Sequence, residues 1–114
     1  MHELSIALSL IELANEESAR LGGRVTALHL KLGAMCGVVP EALRSSFGLA
    51  TEDTPLAGSA LVIEELPVIV FCPQCETQRP LNTTQWFVCA ECGTPTPDIR
   101  QGKEMELVAL EIES

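Results

Sequence analysis

The chain has 114 residues, 46% of them hydrophobic, which suits one domain or one domain with a small module. Its 16 acidic residues outnumber its 7 basic residues, and the formal net charge of −9 repels phosphate backbones and anionic lipid headgroups. We therefore expect neither nucleic acid nor a membrane surface as a partner.

The first apolar stretch, Leu4 to Ala14, lacks the pattern of a secretory signal. No basic residue precedes it, Glu12 interrupts it, and no small-residue cleavage site follows it. The sequence also has no run of the roughly 18 apolar residues that a membrane helix needs. We expect a cytoplasmic protein.

Two helices and a strand are predicted in the first half of the chain. Helix one should end near Leu21, where Gly22 and Gly23 suit a helix C-terminus. Its apolar face is predicted from residues at helical spacing, namely Leu4, Ala7, Leu8, Ile11, Ala14 and Leu21, with Ile6, Leu10 and Leu13 widening that face. The alternating segment RVTALHLKLG predicts a strand ended by Gly33. Helix two, PEALRSSFGLATE, should begin at Pro40, a residue favoured in a first helical turn.

The second half of the chain reads as strands around a different kind of segment. ALVIEELPVIVFC predicts one or two β segments interrupted by Pro67, and Val108, Leu110 and Ile112 alternate with polar or small residues in a closing strand. Between Cys72 and Asp98 the chain has few aliphatic residues but four cysteines, so something other than apolar burial must hold it.

Those cysteines form two Cys-x-x-Cys motifs, CPQC at Cys72 and Cys75 and CAEC at Cys89 and Cys92. Two such pairs supply the four thiolates of a closed, tetrahedral zinc site. Gly93 suits the tight turn that follows the second pair. The spacing thus predicts a structural zinc site without an open position for catalysis.

Other interpretations of the cysteines remain open. Disulfides are disfavoured in a reducing cytosol, and a thioredoxin-like redox pair would need a βαβ context that this sequence lacks. Iron in the same tetrahedral site is a minor alternative. The fifth cysteine, Cys36, is expected to be a small buried apolar residue.

The amino terminus offers a second set of metal ligands. The α-amine of Met1 with the backbone and imidazole nitrogens of His2 can form adjacent chelate rings, with the Glu3 amide or an outside group as the fourth ligand. Square-planar nitrogen coordination favours Ni(II) or Cu(II). Judged on spacing alone, a terminal Met-His pair can also occur by chance. Glu3 in a first helical turn can simply compensate the helix dipole. His29 is expected to be a half-buried strand residue that pairs with a neighbour.

Taken together, six stretches in this order resemble the HypA/HybF family of hydrogenase maturation factors: MHE, VTALHLKLG, GVVPEALRSSF, AGSALVIEELP, the paired CPQC and CAEC, and GKEMELVALEIE. The resemblance implies a nickel metallochaperone rather than an enzyme, with nickel ligands at Met1, His2 and Glu3 and zinc ligands at Cys72, Cys75, Cys89 and Cys92. The implied fold is mixed α+β: a small sheet of about three strands packed by two helices, with an inserted zinc-ribbon module.

The resemblance also implies an organisation and a set of partners. We expect a discontinuous nickel-binding domain, residues 1–70 and 99–114, and a zinc-ribbon domain, residues 71–98. The implied partners are the GTPase HypB, the large subunit of [NiFe]-hydrogenase and, for some relatives, urease maturation proteins, with the chain itself a monomer or a homodimer.

Two departures from the family pattern limit what carries over. Ala34 stands where many relatives have Glu, and the loop between the cysteine pairs has no histidine that could complete a nickel site. The alternative from another class is a zinc-ribbon interaction adaptor with no nickel role.

Overall fold

A computed structural model describes residues 2–81 and 86–114 of the chain. Its helices are α1 (His2–Leu21) and α2 (Pro40–Thr51). Its strands, in chain order, are β1 (Arg24–Gly33), β2 (Ala60–Leu66), β3 (Ile69–Cys72), β4 (Thr77–Pro80), β5 (Asp98–Gln101) and β6 (Met105–Glu113). The strands form two three-stranded sheets, ordered β2-β1-β6 and β4-β3-β5. The predicted mixed α+β fold is confirmed.

The chain divides into two compact units. The first comprises residues 1–31, 38–64 and 106–114, and the second comprises residues 32–37 and 65–105. All four cysteines of the paired motifs fall in the second unit, which extends beyond residues 71–98 on both sides. None of the helices in the described part of the chain is long and apolar enough to cross a membrane.

The core of the first unit forms where α1 and α2 pack together and where β1 is buried. Helix α2 buries Leu43 and Phe47, one helical turn apart, so that both side chains point the same way. Strand β1 is the central strand of its sheet, with Leu28 fully inaccessible. Leu28, Leu30 and Leu32 are buried on one face, whereas His29 and Lys31 on the other face are half-buried.

The buried face of α1 differs from the predicted one. Leu4, Leu8 and Leu21 are 50%, 53% and 57% exposed, so the prediction that they belong to the core face is wrong. Ala7, Leu10, Ile11 and Ala14 are buried as predicted, and the remaining buried position is Glu3. Because the apolar residues of α1 cover more than one face, packing with α2 decides which of them becomes buried.

The second unit is built around a short antiparallel sheet. In the β3–β4 pair, Val70 lies opposite Arg79 and Cys72 lies opposite Thr77. Where the chain enters and leaves this unit, a Cβ atom on Gly33 would come within 2.1 Å of the Gly102 backbone. Only a residue without a side chain permits this approach of two backbones.

Candidate metal centres

The first cysteine pair lies at the end of β3 and in the turn that leads to β4. Cys72 is the last residue of β3 and is fully buried, whereas Cys75 is half-buried. The backbone N–H of Cys75 donates to Cys72 Sγ at 3.4 Å. Glu76 follows with a φ of 53°, a left-handed conformation that is unusual for a residue with a side chain.

The second pair lies in a tight turn closed by backbone hydrogen bonds. Cys89 N–H donates to the Thr94 carbonyl at 2.8 Å, and Gly93 N–H donates to the Cys89 carbonyl at 2.8 Å. Gly93 has a φ of 76°, so glycine occupies here the position that Glu76 occupies after the first pair. The N–H of Glu91 points to Cys89 Sγ at 3.4 Å. The local sequence thus presents two sulfurs from each turn.

The two turns bring all four sulfurs to one point. Their Sγ atoms lie within 4.8 Å of one another, with separations of 3.6 Å for Cys72–Cys92, 3.9 Å for Cys75–Cys89 and 3.6 Å for Cys75–Cys92. A tetrahedral zinc ion with Zn–S bonds of about 2.3 Å separates its sulfurs by about 3.8 Å. A disulfide requires sulfurs about 2 Å apart. The donor set and its spacing therefore fit one tetrahedral metal ion, and these separations exclude disulfides.

The sulfurs have different electrostatic surroundings. The backbone N–H of Cys92, with help from that of Glu91, lowers the pKa of the Cys89 thiol to about 6. The hydroxyl and backbone of Thr94 likewise lower the pKa of Cys92. At Cys75 the Arg79 guanidinium also lowers the pKa, but the Cys92 thiol and burial outweigh it and raise the pKa to about 11. Four thiolates this close together require a cation among them.

At the amino terminus, only part of the predicted nickel site can be described. Met1 lies outside the described residues. His2 is the first residue of α1 and is exposed. Glu3, by contrast, is 7% exposed, and its Oε2 accepts a hydrogen bond from the backbone N–H of Val39 at 3.3 Å. Since Val39 is the N-cap residue of α2 and has no side-chain cap of its own, Glu3 joins the first turn of α1 to the start of α2.

The other two candidate ligands lie apart from these groups in the sequence and serve in local contacts. His29 lies in β1, its side chain is 34% exposed, and its Nε2 pairs with Glu111 Oε2 of β6, as expected for a strand residue satisfied by a neighbour. Cys36 is half-buried, so the expectation that it is a buried core residue is wrong.

The family described as "Hydrogenase/urease nickel incorporation, metallochaperone, hypA" matches residues 1–112. The chain belongs to the HypA family. A hydrogenase maturation factor HypA from Chloroflexus aurantiacus is 50% identical over 112 residues, covering 97% of this chain and 98% of that protein.

Solved structures of family members agree with the fold. A solution structure of a HypA protein has a TM-score of 0.70 at 27% identity and covers 99% of this chain and 97% of its own. The solution structure of the nickel metallochaperone HypA from Helicobacter pylori has a TM-score of 0.62 at 25% identity. The match covers 98% of this chain and 97% of that chain. The resemblance inferred from the sequence is confirmed, and the chain is a maturation factor of a metallochaperone family, not an enzyme.

Sequence reasoning missed two residues beside the sulfurs, Thr94 and Arg79. Thr94 Oγ1 lies 3.2 Å from Cys92 Sγ. The thiol of Cys75 and, to a lesser extent, that of Cys89 raise the pKa of the Arg79 guanidinium. An arginine four residues after a CPQC motif is a weak signal in the sequence, because the register of β4 against β3 decides which face of the sheet its side chain lies on.

Proposed function

We propose that the chain is a nickel metallochaperone that binds Ni(II) at Met1, His2 and Glu3 and delivers it during the maturation of [NiFe]-hydrogenase. Cys72, Cys75, Cys89 and Cys92 hold a structural Zn(II). The single observation that supports the zinc assignment is the sulfur spacing of 3.6–3.9 Å, and the family match over residues 1–112 supports the nickel role.

In this proposal the first compact unit is the nickel domain and the second is the zinc domain. Eleven acidic and four basic residues give the first unit a net charge of −7. An acidic surface raises the local concentration of dications, which favours capture of nickel. The exposed His2 gives the ion access to an imidazole at the start of α1.

Glu3 has a positioning role in the proposed nickel site. A helix N-terminus carries positive partial charge and repels a dication, so a nickel site there needs a compensating negative group. The buried Glu3 carboxylate supplies that charge while its bond to Val39 N–H fixes the first turn of α1. Its backbone nitrogen, rather than the carboxylate already held by α2, is then the candidate fourth ligand.

Delivery follows from the ligand chemistry. Nitrogen ligands of moderate affinity can be replaced one at a time by thiolates of a client, which bind nickel more strongly as softer donors. We expect the client to be the large subunit of [NiFe]-hydrogenase. The GTPase HypB should take part in delivery, and urease maturation proteins are further expected partners. We place the process in the cytoplasm.

A nickel titration of the zinc-loaded protein, followed by calorimetry and visible absorption, tests the proposal. The native chain should bind about one nickel with a square-planar absorption band. His2→Ala, and a chain with two extra residues before Met1, should lose this binding, whereas the matched control His29→Ala should keep it. Equal binding in all four proteins would overturn the amino-terminal site, and no binding in any of them would favour the zinc-ribbon adaptor.

A further inference from the structure

Strand β6 lies at the edge of its sheet, because β1 occupies the central position between β2 and β6. An edge strand presents a row of backbone N–H and C=O groups that no strand of its own sheet pairs with. Residues 106–113 of β6 belong to the first unit and contain no proline or lysine, two residues by which natural edge strands prevent further pairing. This edge therefore keeps the capacity to pair with another strand.

The side chains of β6 are incompletely covered by their own unit. Val108 is 49% exposed, and Leu107, Leu110 and Ile112 are half-buried. In an antiparallel sheet one face is commonly packed on the core, which buries the aliphatic residues of that face. In β6 neither face is fully buried, so apolar area remains for a partner to cover.

An open groove follows the edge of β6. It has a volume of about 330 Å³ and is lined by Glu17 and Leu21 of α1 and by residues 107–110 and Ile112 of β6. Successive residues of a strand point to opposite faces, so a groove lined by four consecutive residues runs along the strand edge and not across one face. Leu21, which is 57% exposed, supplies an apolar wall from the end of α1. The groove thus combines backbone groups with apolar contacts.

The two faces of β6 differ in chemistry. Because side chains alternate along a strand, Val108, Leu110 and Ile112 share one face, whereas Glu111 and Glu113 share the other. An added strand in which apolar residues alternate with lysine or arginine would match both faces. Its apolar side chains would lie beside the aliphatic ones and its cations beside the glutamates, two favourable kinds of cross-strand pair. The pattern of β6 therefore specifies the composition of its occupant.

A second copy of the chain does not meet this requirement. Its β6 would bring further glutamates and no basic residue, and its first unit would bring another net charge of −7. Like charges that face each other across a strand pair are destabilising. The occupant that fits the edge is an extended, apolar and basic segment of another protein.

We propose that the edge of β6 binds an extended segment of a partner protein, with alternating apolar and basic residues, which adds as a fourth strand to the sheet. Main-chain hydrogen bonds supply affinity in this mode of recognition, and the alternating side chains supply specificity. The inference goes beyond the proposed function and is independent of both metal assignments, since it uses no proposed metal ligand.

The experiment titrates the zinc-loaded full chain into a fluorescent octapeptide in which valine and lysine alternate, and follows anisotropy at physiological ionic strength. The native chain should bind this peptide. A peptide of the same composition with its valines and lysines in separate blocks, and an alternating valine–glutamate peptide, should each bind at least about tenfold more weakly.

A charge placed on the edge should block binding. Val108→Lys puts a cation in the middle of β6 and removes apolar surface, and it should weaken binding of the alternating peptide at least about tenfold. The matched control Val62→Lys makes the same change in β2, at the other edge of the sheet, at a residue that is 44% exposed. It should bind as the native chain does. Circular dichroism shows whether both variants keep their helices.

Amide hydrogen exchange of the native chain tests strand addition without any substitution. Bound peptide should slow exchange within residues 106–113, where backbone groups gain hydrogen bonds, and leave residues 60–66 of β2 unchanged. Because this measurement uses only the native protein, it decides the proposal even if Val108→Lys does not fold.

The outcomes that would overturn the proposal are distinct. Equal peptide binding by the native chain and a folded Val108→Lys, or unchanged exchange across residues 106–113, would exclude the edge as the site. Equal binding of the alternating and block peptides would show attraction by charge alone. Protection of residues 106–113 that rises with protein concentration in the absence of peptide would show that a second copy occupies the edge. None of these outcomes affects the nickel titration or the zinc assignment.

Discussion

The two compact units are held together by different forces. Of the sixteen buried apolar residues in the described part of the chain, eleven lie in the first unit and five in the second, and two of those five are Cys72 and Cys89. The first unit has a net charge of −7, and the second, with five acidic and three basic residues, has −2. Apolar burial therefore contributes more to the first unit than to the second, which under the proposed function depends on a bound metal ion.

This difference suits two metals with opposite requirements. A structural ion must stay bound, so it belongs in a closed site whose binding free energy is also folding free energy. A transported ion must leave, so it belongs on a unit that remains folded without it. A carrier in which both ions stabilised the same core would unfold each time it released its cargo.

Removal of a zinc ligand should give the largest difference in stability between the two units. Structural zinc contributes about 10–16 kcal/mol in small peptides, more than the second unit's few buried side chains can replace. In Cys72→Ser, amide hydrogen exchange should become fast across residues 65–105 while residues 2–21 remain protected. Cys36→Ser is the matched control and should keep both zinc and protection. Full protection of residues 65–105 in zinc-free Cys72→Ser would show that the metal is dispensable there.

A core substitution in the first unit should have the converse effect. Leu28→Ala removes a fully buried side chain from β1 and should lower the free energy of unfolding by about 2–5 kcal/mol. Leu49→Ala, at a residue that is 71% exposed, should change it by less than about 0.5 kcal/mol. Urea unfolding followed by helical circular dichroism measures both, and zinc content should stay the same. Loss of zinc from Leu28→Ala would contradict the independence of the two units.

The smallest expected effects concern the backbone of the two cysteine turns. Glu76 and Gly93 follow the first and second pairs with φ values of 53° and 76°. A residue with a side chain is strained in the left-handed conformation, by roughly 1 kcal/mol. Glu76→Gly should remove this strain and stabilise the protein, whereas Gly93→Ala should introduce it and destabilise the protein. A Cβ at Gly93 would meet no atom within 4 Å, so sterics do not interfere. Thermal unfolding of the zinc-loaded proteins should shift up for the first and down for the second; shifts of the same sign would refute this account.

Sequence reasoning succeeded where one residue type dictates the outcome. The start of α2 at Pro40 and the end of β1 at Gly33 follow from backbone chemistry, and the cysteine spacing predicted the sulfur cluster. It failed where packing decides which of several equivalent apolar residues becomes buried, as with the exposed Leu4 and Leu8 of α1.

Two further features of the second unit could not be predicted from the sequence. Strands β4 and β5 have four residues each, which is too few to show a periodic pattern. Arg79 belongs to no motif, and its place on the same face of the β3–β4 pair as Cys72 follows only from the strand register. Pattern reasoning finds the ligands of such a site, but the groups around them require coordinates.

Native mass spectrometry of the chain with both metals supplied tests the central claim, two separate sites on two units, most directly. The native chain should carry about one zinc and about one nickel. His2→Ala should retain zinc alone, and Cys72→Ser should retain nickel alone. Nickel bound to His2→Ala, or lost together with zinc from Cys72→Ser, would contradict the account.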